Sequence, residues 1–318
     1  MSLRTDIKTI TLAGSGVMGA SLAQIFAKYG YSVLLFDLEQ AQIDKAKELV
    51  TINQKTLVSK GELSPEQSQA VLARIGYTLE KTCFKEADFV LETIVENMEI
   101  KRKFFQEVSE LAEEDVVLAT NTSGLSINGI AEGVKAPGRF AGMHWVNPPH
   151  LVPLVEVISS SQSQPQALDI IRNLAESLKY EHVTVHKDPP GFLLNRLQFA
   201  VVREAIHIVE SGYATPEDVD KVMKYALGLR YACLGPFETM DFGGLDTFYR
   251  ISSYLFADLC DKKEAPELLR KAFEEGRHGL KSGKGFYDYS GDKAAEAIAK
   301  RDATLIAVGK GQNRGGNA

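Results

Sequence analysis

Apolar and polar positions alternate along the chain in two rhythms, and the rhythm changes once. Residues 10–13 and 32–36 are short continuous apolar runs, as strands buried on both faces require; between them, 17–29 carries apolar residues at helical spacing until Gly30 stops it. The signals recur, with strands at 89–94, 116–120, 140–146, 154–158 and 182–186 and helices at 98–111, near Ser126 and at 164–179. Residues 41–59 have helical periodicity, and Ser64-Pro65-Glu66-Gln67 starts a second helix reaching about Ile75, so the pair predicts a helical hairpin joined at Gly61. Strands 140–146 and 154–158 are separated by Asn147-Pro148-Pro149-His150, too short for a helical crossover, which predicts antiparallel neighbours at a sheet edge. From Asp188-Pro189-Pro190-Gly191 onward the strand rhythm is gone. A long apolar-rich helix covers 192–210, and others start at Thr215-Pro216-Glu217 and Gly235-Pro236-Phe237-Glu238. Their apolar faces need burial against one another, the first domain or a second subunit.

The first strand and helix are joined by Gly14-Ser15-Gly16-Val17-Met18-Gly19. Gly14 suits the tight turn, Gly16 a close approach of backbone to a pyrophosphate, and Gly19 close packing of helix on strand. The helix N-terminus offers free N–H groups and a partial positive charge to the phosphates, and Asp37, at the tip of the next strand, falls where a ribose presents its hydroxyls. Strand, turn, helix, strand and acid in this order point to NAD. The predicted architecture is α/β: a Rossmann-type doubly wound sheet domain with a helical hairpin excursion over residues 1–188, then an all-helical domain over 189–318. In such a sheet the ligand lies beyond the carboxyl ends of the strands, which puts Glu96 and Ser123 at the cofactor. Asn121-Thr122-Ser123-Gly124 equally suits a turn that caps the helix near Ser126, and the two readings are compatible.

Charge and cysteine usage narrow the function. A net charge of −6 with no basic run argues against nucleic acid and against an anionic membrane surface. The first residues, MSLRTDIKTI, lack the apolar core of a signal peptide, and no run approaches the roughly 20 apolar residues of a membrane span. Cys83, Cys233 and Cys260 form no CxxC pair and read as reduced, buried thiols of a cytoplasmic protein rather than metal ligands. The tail 309–318 reads as disordered.

Oxidising a secondary alcohol requires removal of its hydroxyl proton as well as of a hydride, and an imidazole titrates in the right range for that task. Of six histidines, His144 alone ends a predicted sheet strand with a carboxylate, Glu156, on the neighbouring strand. A satisfied core histidine between Met143 and Trp145 is the plainer reading, and His150 in the proline turn is a rival; spacing leaves these open. Lys55 and Lys60, near the hairpin tip, read most simply as a solvated helix face.

Seven segments, GSGVMG, TIVENMEIK, NTSG, HWVNPPHLVPLVEV, PPGFLLNR, GPFETMDFGGLD and GLKSGKGFYDY, follow one another in this order. In sequence and order they resemble the L-3-hydroxyacyl-CoA dehydrogenase family over nearly the whole chain. The resemblance implies a helical domain through which two subunits form a homodimer, His144 as catalytic base paired with Glu156, and Ser123 and Asn195 holding the substrate oxygen. It implies NAD contacts from the glycine turn and from Asp37, Glu96, Lys101, Ser123, Asn147 and Lys281, and a coenzyme A contact from Lys60. Three features depart from members acting on acyl-CoA: Ser123-Gly124 replaces Ser-Ser, HWVNPP replaces HFxNP, and Asn53 stands where the family has a CoA-contacting serine. HWVNPPHLVPLVEV, NRLQFAVVREA and GLRYACLGPFETMD are more similar to the branch containing lambda-crystallin, an L-gulonate 3-dehydrogenase, and to a bacterial dehydrogenase of a substituted pyridine. The leading reading is therefore an NAD-dependent L-3-hydroxyacyl-CoA dehydrogenase. The alternative is a dehydrogenase of a free hydroxy acid or related alcohol, whose carboxylate Arg196 or Arg230 would neutralise, and the third is a non-enzymatic crystallin-like or NAD-sensing protein.

Asp37 accepts ribose hydroxyls but repels a 2′-phosphate, and Leu38-Glu39-Gln40 supplies no compensating cation. Initial-rate kinetics are expected to show a strong preference for NAD over NADP, relaxed in Asp37→Ala; comparable kcat/KM for both cofactors in the unaltered protein would contradict the assignment.

Overall fold

The computed structural model describes residues 2–312. The apolar runs become eight strands: β1 (Thr9–Ala13), β2 (Ser32–Phe36), β3 (Ile75–Thr78), β4 (Phe89–Glu92), β5 (Val117–Thr120), β6 (Phe140–Trp145), β7 (Leu154–Ile158) and β8 (Glu181–Val185). They pair in one sheet in the order β3-β2-β1-β4-β5-β6-β7-β8, parallel throughout except between β6 and β7. The helices of this part are α1 (Val17–Lys28), α2 (Gln40–Ser59), α3 (Pro65–Ala73), α4 (Met98–Leu111), α5 (Ile127–Ala131) and α6 (Pro165–Ser177). Successive strand residues serve opposite faces. Phe89, Leu91, Met143 and Trp145 join Phe26 of α1 and Leu174 of α6 in one apolar layer, while Val90 and Phe140 join Phe105 of α4 and Ile130 of α5 in the other. Covering both faces makes the sheet doubly wound, as the alternation of elements predicts.

The hairpin starts its second helix with a capping box, in which the Ser64 hydroxyl accepts from Gln67 N–H and the Gln67 side chain accepts from Ser64 N–H. A buried amide chain docks it on α1: Gln54 donates to Gln24 Oε1 at 3.0 Å, and Ser68 Oγ donates to Gln54 Oε1 at 3.1 Å. α3 stops at Ala73, and Ile75, expected to end that helix, begins β3 instead. Four residues, Ile-Gly-Tyr-Thr, are too few to show a period of two, so pairing with β2 decides the conformation where local pattern does not. β7 is not at the edge, since β8 pairs parallel outside it.

The chain divides into two compact units after Arg196. The first unit reaches past Asp188 because Phe192 is buried in the second apolar layer and the N–H groups of Leu193 and Leu194 bond Glu156. A seventh helix, α7 (Leu194–Glu210), runs across the division. The second unit is helical, with a π-helical stretch at Met223–Leu227 and helices at Pro236–Gly243, Leu245–Leu255, Glu267–Glu274 and Lys293–Gly311. Among its described residues only Ile206, Thr239, Cys260 and Ala272 are buried, while Phe199, Tyr225, Phe237, Phe242, Tyr249 and Phe256 are exposed. Among the described residues of this unit, the apolar faces that the sequence required to be covered stay exposed.

Two further expectations change. Gly309–Gly311 close a helix rather than fraying, as an Ala-rich run of good helix formers allows, and positions 313–318 of the expected disordered tail lie outside the described residues. Cys83 and Cys260 are buried, and burial pushes the Cys83 thiol up to about 12, but Cys233 is exposed. No helix among the described residues is long and apolar enough to cross a membrane.

Candidate active site

The sheet reverses its winding between β1 and β4, and the loops after those strands press together there. Gly14 adopts φ +99°, and a Cβ on it would stand 2.7 Å from the Thr93 carbonyl oxygen; a Cβ on Gly19 would stand 1.9 Å from the Gly14 carbonyl oxygen. Thr93 Oγ1 locks the crossing by donating to the Ala13 and Gly14 carbonyls at 3.0 and 2.8 Å. Above Gly16 there is open space, and no side chain caps α1, so its first N–H groups, starting at the exposed Val17 and half-buried Met18, are free for an anion. Asp37 is brought to this turn: its Oδ2 accepts from Ser15 N–H and Ser15 Oγ, both at 2.8 Å, and its Oδ1 from Leu38 N–H at 2.8 Å. An open glycine cradle, an uncapped helix N-terminus and a fixed carboxylate fit a dinucleotide.

Beyond β4 and β5 lies a network that the sequence signalled only in part. Glu92, fully buried at the end of β4, accepts at Oε1 from Lys101 Nζ (2.5 Å) and Ile94 N–H (2.7 Å) and at Oε2 from Thr120 Oγ1 (2.6 Å). Burial pushes its carboxyl above the usual carboxylate range, against the pull of Lys101, Thr120 and Ile94. Lys101, 1% exposed in the first turn of α4, also reaches Glu96 Oε2 at 3.4 Å. Glu96 Oε1 accepts from Thr122 Oγ1 (2.5 Å) and from Ser123 N–H (3.1 Å). Glu92 was missed because a single acid ending an apolar run reads as a strand terminus. The signal was its spacing to Lys101 across a helix start.

The antiparallel pair builds the third part. Residues 144 and 156 are register partners in β6 and β7, so both side chains project to the same side of the sheet. His144 Nδ1 lies 2.7 Å from Glu156 Oε2, with both residues buried. Glu156 Oε1 accepts from the N–H groups of Leu193 (2.8 Å) and Leu194 (3.0 Å), which caps α7. Asn195, next on that helix, donates from Nδ2 to the Ser123 carbonyl at 2.7 Å. Asn121 Oδ1 accepts from Trp145 N–H at 2.8 Å and ties the same loop to β6. Contacts thus join His144 to Glu156, and Asn195 to Ser123, Glu96 and Lys101 in turn, and the backbone of α7 from Leu194 to Asn195 connects the two groups. Asn147 and His150 lie exposed in the β6–β7 turn, Asn53 is half-buried on α2, Lys60 is exposed at its C-terminus, and Lys281 is exposed in a turn of the second unit.

A doubly wound sheet with this glycine turn and a buried His–Glu pair defines an NAD-dependent dehydrogenase. The chain belongs to the 3-hydroxyacyl-CoA dehydrogenase family: the family's NAD binding domain matches residues 9–189 and its C-terminal domain residues 191–289. It is an oxidoreductase acting on CH–OH groups with NAD as cofactor. It is 33% identical to 5-formyl-3-hydroxy-2-methylpyridine 4-carboxylate 5-dehydrogenase of Mesorhizobium japonicum, covering 95% of this chain and 97% of that one. It is 38% identical to a probable 3-hydroxybutyryl-CoA dehydrogenase of Deinococcus radiodurans, covering 87% of this chain and 98% of that one. A crystal structure of a 5-formyl-3-hydroxy-2-methylpyridine 4-carboxylic acid 5-dehydrogenase, described as an NAD+ dependent dismutase, superposes with a TM-score of 0.89 at 32% identity, over 97% of this chain and 99% of that one.

Burial pushes the Glu156 carboxyl up, but bonds from His144, Leu194 N–H and Leu193 N–H together hold it below its ordinary value of 4.5. The unfolded chain binds more protons here than the folded one, so Glu156 stabilises the fold above pH 4.5 and that contribution is lost as pH falls through the lowered value. Chemical unfolding followed by the fluorescence of Trp145, the one tryptophan, is expected to show stability falling steeply with acid in this window and less steeply in Glu156→Gln; equal slopes would contradict the sharing of this carboxylate.

Proposed function

We propose that the protein is an NAD-dependent L-3-hydroxyacyl-CoA dehydrogenase for a short, 3-hydroxybutyryl-like substrate, with His144 as general base. The observation that carries the reading is the 2.7 Å contact between His144 Nδ1 and Glu156 in the buried β6–β7 pair. Glu156 takes up Nδ1 and so leaves Nε2 to accept the substrate hydroxyl proton; its charge then stabilises the imidazolium. Ser123, whose hydroxyl is exposed beside the loop fixed by Glu96, donates to the substrate oxygen, and Asn195 holds Ser123 in place. NAD, when bound, supplies the acceptor for the hydride that leaves the carbinol carbon. Gly14, Ser15, Gly16, Val17, Met18 and Gly19 would receive its pyrophosphate and Asp37 its adenosine ribose, and Glu96 and Asn147 would add contacts that the family resemblance implies.

For the thioester stands Lys60 on a hairpin that a buried amide chain holds against α1, and against it stand Gly124, Trp145 and Asn53. A second reading, a free aromatic or aliphatic hydroxy acid, is favoured by coverage: the pyridine dehydrogenase matches 95% of this chain against 87% for the 3-hydroxybutyryl-CoA relative. NADH absorbance separates the two. Acetoacetyl-CoA is expected to be reduced, with His144→Ala lowering turnover by ~10²–10⁴ while NAD binding is retained. Oxidation of a free 3-hydroxy acid or pyridine alcohol with no use of acetoacetyl-CoA would replace the thioester reading, and full activity in His144→Ala would remove the base.

We further infer a cytoplasmic homodimer in which a second copy covers the apolar faces of the second unit. Phe242 and Tyr225 are 80% and 79% exposed in a unit with four buried residues among those described, more apolar surface than a stable monomer presents to water. Light scattering is expected to give twice the 34.9 kDa chain mass; a monomer at all concentrations would contradict the inference.

A further inference from the structure

We propose that Phe192 is a positioning residue for His144, its ring packed against the imidazole so that the one hydrogen bond from Glu156 becomes a fixed orientation. Three non-glycine residues among those described have positive φ; Ala136 and Lys179 are exposed, whereas Phe192, at φ +52°, is fully buried. In that left-handed conformation a Cβ crowds the following carbonyl oxygen, a strain that glycine escapes. Gly191, at φ +76°, precedes it, so the chain after Pro190 turns through two left-handed residues in succession. The turn has a use. Phe192 N–H donates to the Pro189 carbonyl at 3.0 Å, and the next two N–H groups then meet Glu156 Oε1. Glycine at 192 would make the same turn without strain, so the backbone does not call for phenylalanine.

The ring supplies what glycine cannot. It lies in the second apolar layer with its centroid 5.7 Å from that of His144 and the two planes inclined at 56°, within the range of an aromatic contact. Glu156 grips the imidazole at one atom, Nδ1, and a single hydrogen bond is a pivot about which a ring can rock. A bulky neighbour at native packing density removes that freedom. Phe192 itself has little room to yield, because its segment is pinned on both sides. Before it, Asp188 Oδ2 accepts from Ser126 Oγ, Asn128 N–H and Asn128 Nδ2 at 2.6, 2.9 and 3.1 Å; after it, Leu193 and Leu194 are bound to Glu156. Holding the base matters, since a misplacement of about 1 Å can cost about a hundredfold in rate. The inference rests on His144 as the base for its meaning in catalysis, but the contact is tested without substrate or cofactor.

Long-range ¹H–¹⁵N correlation spectra report the imidazole tautomer of the unliganded protein. Phe192→Leu keeps the Cβ and its strain but loses the flat ring; Phe192→Gly relieves the strain and loses the ring as well. In both, neutral His144 is expected to lose its single tautomer and show nitrogen shifts averaged over two, while native-state amide exchange finds Leu193 and Leu194 still protected in Phe192→Gly. Phe105→Leu thins the same apolar layer from α4 and is expected to keep the single tautomer. Should leucine at 192 not fold, Phe192→Met, with its adaptable unbranched chain, tests the same loss of the ring. A single tautomer that survives in a folded Phe192 variant, its loss in Phe105→Leu, or mixed tautomers already in the unaltered protein overturns the proposal. Loss of Leu193 and Leu194 protection in Phe192→Gly assigns the effect to the turn and overturns it too. Activity lost in His144→Ala with no change of tautomer in the Phe192 variants would sink this inference and leave the base in place.

Discussion

One buried carboxylate, Glu156, decides how the site is assembled. Its two oxygens serve two different elements: Oε2 takes His144 on the neighbouring strand, and Oε1 takes the first free N–H groups of α7. Each element needs it for a separate reason. The imidazole needs an acceptor at one nitrogen to fix its ring and its tautomer, and the helix needs acceptors for N–H groups that have no partner within the helix. Because the same carboxylate meets both needs, the orientation of His144 and the placement of Asn195 are not independent. The antiparallel register of β6 on β7 makes this possible, since it sets residues 144 and 156 opposite each other in a sheet that is otherwise parallel.

A second buried carboxylate, Glu92, does for the cofactor side what Glu156 does for the proton side. Glu92 is satisfied by a lysine and two neutral donors, so it carries a structural charge that has no reason to change during a reaction. Glu156 is satisfied by an imidazole and two backbone groups, so its partner is the one group there suited to gaining and losing a proton. The two carboxylates are linked through Lys101, Glu96, Ser123, Asn195 and the backbone of Leu194, with each non-covalent step a hydrogen bond or ion pair of 3.4 Å or less. Burial makes an incomplete network costly, which favours this single arrangement over looser ones.

Much of this was legible in the sequence because it rests on local pattern. The glycine turn with Asp37, the strand and helix alternation, the hairpin and the antiparallel pair that joins His144 to Glu156 all follow from spacing within thirty or so residues. What was not legible depends on contacts between distant segments or on the absence of contacts. β3 is a strand only because β2 pairs with it. The partners of Lys101 follow from how α4 meets the end of β4, and the motif that named this lysine carried no information on where its ammonium points. The exposed faces of the second unit are apolar in sequence, yet nothing in their period says whether they meet this chain or another.

In the proposed mechanism Glu156 holds His144 at Nδ1 and leaves Nε2 as the base. Long-range ¹H–¹⁵N correlation spectra of the imidazole nitrogens, with His144 assigned by comparison with His144→Gln, test it directly on the unliganded protein. Where the ring is neutral, His144 is expected to be protonated at Nδ1 with an unprotonated Nε2, and to lose that single tautomer in Glu156→Ala. A neutral His144 protonated at Nε2 would contradict it.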